Sequence, residues 1–156
     1  MAEITSSKNL SQLEVSNVKY SPTTVLLSAN TTITPQTHSG RVLAVTDGAA
    51  GATFTVDAPK TAGIHYKFVY AGENAVGGEI IIDCGAGNLI HGAIHGLSSD
   101  ADSAAVATRP NGTSEKRLKI PVNMLAFEIN LVSNSSNQWY VWGKTVGPNP
   151  STVDSI

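Results

Sequence analysis

Two histidines, His91 and His95 in Asn-Leu-Ile-His-Gly-Ala-Ile-His-Gly, are the first side chains whose spacing could do chemistry. On a helix such a pair would face one metal ion, but Gly92 and Gly96 argue against a helix there. On a strand the two share a face yet lie ~13 Å apart along it. Ligands of one zinc each sit ~2 Å from the ion, so a single strand cannot supply both. A site would need His65 or Asp83 carried over from another strand. Glu79 and Asp83 fail as a catalytic pair for a similar reason. Their ~13 Å separation on one strand face exceeds the ~5–9.5 Å of glycosidase carboxylates.

The remaining motifs are incomplete. Gly143-Lys144-Thr145 resembles the end of a phosphate-binding loop, but the first glycine position holds Gln138. Gly85-Ala-Gly87 lacks the third glycine of a dinucleotide fingerprint, and Gly96-Leu-Ser98 lacks the second glycine of a nucleophile elbow. Cys84 continues the apolar alternation of Ile80 and Ile82, which makes it a small core residue rather than a nucleophile. Trp139-Tyr140-Val141-Trp142 divides between two strand faces, Trp139 with Val141 and Tyr140 with Trp142. One ring in the core and another at an interface accounts for this pattern, and a sugar-binding platform is the alternative. The expectation is a protein with no catalytic residues, no metal and no cofactor, and not an enzyme.

Composition agrees with that expectation. Among 156 residues, 10 Lys and Arg stand against 12 Asp and Glu, a net charge of −2. Charged residues make up 14%, below the ~25% of an average domain, so much of the surface is polar but uncharged or covered by a partner. No basic stripe points to nucleic acid. No apolar run approaches the ~20 residues of a membrane helix, and the first residues carry no secretory h-region. The lone Cys84 excludes an intramolecular disulfide and a multi-cysteine zinc site.

The elements that position these residues are short strands. Runs with period two occur at residues 24–29, 41–45, 53–57, 64–70, 79–83 and 125–132, separated by Gly-, Asn- and Ser-rich turns. The expected interior faces are Ile64/Tyr66/Phe68, Ile80/Ile82 and Leu125/Phe127/Ile129/Leu131. The pattern predicts an all-β chain of eight to ten strands, a jelly-roll-like antiparallel β-sandwich with extended N- and C-terminal segments. Its limits are an N-terminal arm at 1–20, the sandwich at 21–146 and an extended C-terminal tail at 147–156, where Pro148 and Pro150 stop regular structure. No internal repeat argues for a solenoid. Helical spacing is confined to residues 7–15 and 100–107.

The succession of elements resembles the small β-sandwich decoration, or cement, proteins of tailed bacteriophage heads. The residues that carry it are Asp57-Ala58-Pro59, the strand Ala62-Gly63-Ile64-His65-Tyr66-Lys67-Phe68-Val69-Tyr70, and the strand-glycine segment from Gly78 to Gly92. The last is Phe127 to Gly143, an apolar strand running through a polar turn into Trp-Tyr-Val. The resemblance spans residues 40–143 and implies a virion structural protein. Such a protein is made in the host cytoplasm, sits on the outer capsid surface as a homotrimer, and bridges subunits of the major capsid protein. The polar N-terminal arm, with Ile4, Leu10 and Leu13 as spaced apolar groups, is the expected capsid contact. Few charges protect the sandwich edges, which favours a closed trimer, with Ile90, Gly92 and Ile94 as its interface residues, although core packing explains those three as well. The alternative is a receptor- or glycan-binding domain of a phage fibre or spike. Aromatic side chains gathered in an exposed groove would favour that alternative, and a flat, weakly charged base with an ordered arm would favour the cement protein.

Overall fold

The computed structural model describes residues 24–57, 62–98, 106–134 and 136–155. Ile4, Leu10 and Leu13 lie outside them, as do the helical spacing at 7–15 and most of that at 100–107.

The described residues form the expected all-β sandwich. Its strands are β1 (Val25–Leu27), β2 (Thr31–Ile33), β3 (Val42–Val45), β4 (Thr53–Val56), β5 (His65–Tyr70) and β6 (Ile80–Asp83), and then β7 (Leu89–Ser98), β8 (Val106–Thr108), β9 (Arg117–Ile120), β10 (Ala126–Ser133), β11 (Gln138–Gly147) and β12 (Thr152–Asp154). One sheet has the order β1-β3-β5-β10-β11-β7-β8 and the other β12-β9-β6-β4-β2. The inward set of each strand fills the space between them. Tyr66, Phe68, Ile129, Leu131, Trp139 and Val141 from the larger sheet meet Phe54, Ile80, Ile82, Leu118 and Ile120 from the smaller. Phe54 stacks on Phe68 across the two sheets, with ring centroids 5.9 Å apart.

Strand direction departs from the antiparallel jelly roll. From β1 to β6 the chain alternates between the sheets, so that β1, β3 and β5 run parallel in one and β2, β4 and β6 run parallel in the other. The first half therefore winds as a short two-sheeted coil, although the sequence shows no repeat. β7 also pairs parallel with β11. Among the described strands the antiparallel pairs are β5–β10–β11, β7–β8 and β6–β9–β12. The physical reason is the connections. Two of these connections cross to the opposite sheet through short helical turns instead of tight hairpins, β2 to β3 through Pro35–His38 and β3 to β4 through the 3-10 turn Asp47–Ala49. The one tight hairpin among β1–β6 and β10–β11 is the last, where Asn134 Oδ1 accepts hydrogen bonds from the Ser136 and Gln138 amides and Asn137 takes φ 56°. Asparagine tolerates that left-handed backbone and mimics a turn with its side chain.

Three further expectations are corrected. Leu125 is 55% exposed, because β10 begins only at Ala126, after a turn in which Asn123 has φ 67°, and alternation holds only within a paired strand. The C-terminal tail does not stay apart. Pro148 and Pro150 end β11, but Thr152–Asp154 then pairs with β9, and Lys119 binds Asp154 there. Ile90 and Ile94 are 1% and 0% exposed in the core of their own chain, so their side chains are closed to a trimer interface. Gly92 serves a close approach within the chain, against Val141 of β11. The four edge strands, β1, β8, β12 and β2, are three residues each, which by itself blunts edge-to-edge pairing.

Candidate binding face

The two outer faces differ in chemistry. On the smaller sheet the outward row Thr32, Thr55, Asp83, Arg117 and Asp154 lies in register, and Arg117 Nε binds Asp83 Oδ2 at 2.7 Å. Two cations of the charged cluster at residues 115–119, Arg117 and Lys119, are thus in ion pairs within the molecule. On the larger sheet the outward positions carry Leu26 (71% exposed), Leu97 (45%), Tyr140 (46%) and Trp142 (40%). This is the face on which an unassigned binding function can be built.

Strand register gathers its aromatic side chains. His65, Val132, Tyr140 and His91 form one row across β5, β10, β11 and β7, and Lys67, Asn130, Trp142 and Ala93 form the next. His91 meets the Tyr140 ring edge-on at 5.1 Å, Tyr140 lies 5.8 Å from Trp142, and the His65 and Trp142 ring planes are 9° apart at 6.1 Å. Four rings thus run continuously over the sheet. The next row holds Val69, Glu128, Lys144 and His95. Lys67 Nζ is 3.1 Å from Glu128 Oε1, and Asn130 donates to the same oxygen at 3.3 Å. The Lys67 ammonium, then the Asn130 amide, hold the Glu128 carboxyl below its usual range. Beside Tyr140 and Trp142 opens a groove of about 700 Å³, lined also by His95, Leu97, Glu128, Asn130 and Lys144.

His91 and His95 share the outer face, as expected for one strand, in rows separated by that of Ala93. Neither candidate third ligand joins them, since His65 lies against Trp142 and Asp83 is in the other sheet with Arg117. Among the described residues no group of three or more His, Cys, Asp and Glu could hold a metal ion. Glu79 is exposed just before β6. Gly143, Lys144 and Thr145 lie inside β11 rather than in a loop. Cys84 is fully buried, and burial pushes its thiol pKa up, away from reactivity. The predicted division of the Trp139–Trp142 run holds, with Trp139 and Val141 in the core and Tyr140 and Trp142 outside.

One polar site was invisible in the sequence. Asp47 Oδ1 accepts from the Tyr70 hydroxyl at 2.6 Å, and Oδ2 accepts from the Glu73 amide at 3.0 Å. Asn74 adds its backbone and side-chain nitrogens at 3.3 and 3.4 Å. Tyr70, then the Glu73 amide, hold the Asp47 carboxyl below its ordinary 3.8, while desolvation and then Asp47 push Tyr70 up to about 12. The signs give a two-sided pH dependence. A lowered acid contributes stability above its unfolded pKa, and that contribution is lost as pH falls through the folded value. A raised tyrosine contributes below its ordinary 10, and that contribution is lost as pH climbs from there towards about 12. The Glu73 and Asn74 amides should therefore be protected from hydrogen exchange at neutral pH. Protection should fall on acidification below about pH 4, and Asp47→Asn should lower it already at pH 7 by removing an acceptor for Glu73. Equal protection in the substituted chain would refute the role given to Asp47.

No protein-family model, curated protein or solved structure matches this chain.

Proposed function

We propose that the chain is a virion structural protein, a decoration protein that binds the outer surface of a capsid and stabilises the shell by bridging its subunits. The observation that carries the reading is a sandwich with its own buried core and a sparsely charged surface, on which six of the charged side chains are joined as Lys67 with Glu128, Arg117 with Asp83 and Lys119 with Asp154. With a net charge of −2, what such a surface offers a partner is apolar and hydrogen-bonding contact, which moderate salt does not screen. The sequence resemblance supports the same reading. The arm at 1–20 makes the capsid contact through Ile4, Leu10 and Leu13, and the chain acts as a homotrimer. A ligand that binds only the assembled shell stabilises it by RT ln(1 + [L]/Kd), ~2.7 kcal/mol per site at a hundredfold excess over Kd. Three linked subunits turn weak single contacts into durable attachment.

The test strips the protein from particles and adds back either the full chain or one lacking residues 1–20. The full chain should rebind at fixed copy number and raise the particle melting temperature, and the shortened chain should do neither. Rebinding by the shortened chain would remove the arm from the mechanism, and no effect of either would remove the decoration role. Light scattering of the free protein at micromolar concentration should give the trimer mass. A monomer both free and on particles would refute that part.

A second reading, a glycan- or receptor-binding domain of a fibre or spike, is favoured by one observation: the aromatic groove beside Tyr140 and Trp142.

A further inference from the structure

We infer that the groove on the outer face of the larger sheet is a binding site for an acidic saccharide, a chain of pyranose units bearing carboxylates. This assignment rests on the second reading, a glycan-binding domain, and specifies its ligand.

Shape and lining come first. The groove holds about 700 Å³, inside the ~300–1,000 Å³ range of small-molecule sites, and its walls combine apolar surface with a few polar groups. A pyranose has one face of C–H groups and a rim of hydroxyls. The C–H face needs an aromatic plane, and the rim needs fixed donors and acceptors at its border. Trp142 and Tyr140 supply exposed rings whose planes lie 39° apart, and the ring of His65 backs the indole. Asn130 and Glu128 are held in place beside them by the hydrogen bond between them and by Lys67. The rings sit on paired strands and not on loops, so the platform is already formed before a ligand arrives.

Charge decides the class of sugar. Glu128 is the one carboxylate in the lining, and Lys67 lies 3.1 Å from it. Lys144 stands on the other side, paired in register with Glu128 and His95. Lys144 in the lining and Lys67 at its border share the one carboxylate, Glu128, so the groove region carries a net positive charge. The Lys144 ammonium, exposed at the rim, fits a sugar carboxylate while the ring stacks on Trp142.

The experiment titrates the full chain with a uronic-acid trisaccharide and, in parallel, with its carboxyl-reduced neutral counterpart. Binding is followed by tryptophan fluorescence, because Trp142 is exposed and Trp139 is buried. The acidic trisaccharide should shift the emission and bind at least tenfold more tightly than the neutral one. Trp142→Ala should abolish the response to binding, and calorimetry should show the affinity itself lost. Lys144→Ala should weaken the acidic ligand tenfold and leave any neutral binding unchanged. The Lys144 side chain is exposed, so the melting temperature of Lys144→Ala should stay near that of the parent chain. Equal affinity for the two trisaccharides would overturn the acidic assignment and leave a glycan reader in place. Binding of neither would overturn both. Conversion of the parent oligomer to monomers by Trp142→Ala would also overturn the proposal, because the face would then be covered by a second copy of the chain.

Discussion

Gly92→Ala should destabilise the protein by about 4 kcal/mol or more and remove most of it from the soluble fraction. Gly92 sits inside the ten-residue strand β7 with φ 137°, a backbone that side-chain-bearing residues rarely adopt. A Cβ there would overlap the Val141 carbonyl oxygen and lie 2.9 Å from the carbonyl carbon. Backbone cannot rotate away as a flexible side chain would, so the β7–β11 ladder would have to part. That ladder runs from Leu89 opposite Gln138 to Ser98 opposite Gly147, and it holds Trp139 and Val141 in the core. Gly51→Ala is the matched control. Gly51 also has positive φ, at 76°, but a Cβ there meets nothing within 4 Å. Only the conformational term remains, roughly 1–2 kcal/mol. Urea denaturation of the two variants measures the difference. Similar losses in both would mean that the close approach at Val141 does not limit the fold.

Phe127→Ala should cost ~3–5 kcal/mol, the usual penalty for emptying a buried aromatic site. Phe127 is 4% exposed, and its ring stacks on Tyr70 at 5.5 Å. For a domain of this size the loss corresponds to a fall in melting temperature of roughly 6–20 °C. Its neighbour Glu128 points outwards, and its ion pair with the half-buried Lys67 lies on the solvent face, so Glu128→Ala should cost no more than about 1 kcal/mol. The two residues are adjacent in one strand, so the contrast isolates the face on which each lies. Equal effects would contradict the register of β10. Because Tyr70 also donates to Asp47, Phe127→Ala should loosen the Asp47 network as well.

Strands and their faces were legible in the sequence because alternation is local. The runs at 64–70 and 126–132, and the divided aromatics at 139–142, needed only the two-residue period and the polar turns between them. What was hidden depends on partners far along the chain. Alternation is the same in a strand whichever way its neighbour runs, so the parallel pairs β1–β3–β5 and β2–β4–β6 left no mark. Ile90 and Ile94 read equally well as core or interface until the opposite sheet is in place. The Asp47 cage joins residues 23 to 27 positions apart, and a bare Asp-Gly pair announces only a turn. Within the candidate groove the aromatic pair was readable from its spacing. The company of Glu128, Lys144 and His95 comes from the ladders that join β10, β11 and β7.

The hairpin β10–β11 lies between β5 and β7 in space but comes after both in the chain. During synthesis the early coil of β1 to β6 can pair as it leaves the ribosome. In the finished order β7 is joined to the rest of its sheet only through β11, and until residues 126–147 have emerged it has no place to dock. The middle of the larger sheet is thus its last part to be made, and the first half must wait with the β5 edge unpaired and Tyr66 without the ring of Trp139. Sheets dominated by such distant pairings fold on a scale of roughly milliseconds to seconds, which for this chain begins only after the hairpin is free. A chain stalled before Ala126 would expose apolar strand faces to its neighbours on the same polysome. The hairpin is therefore a latch on the timing of folding as well as the floor of the groove, and chaperone dependence should concentrate in the interval before it emerges.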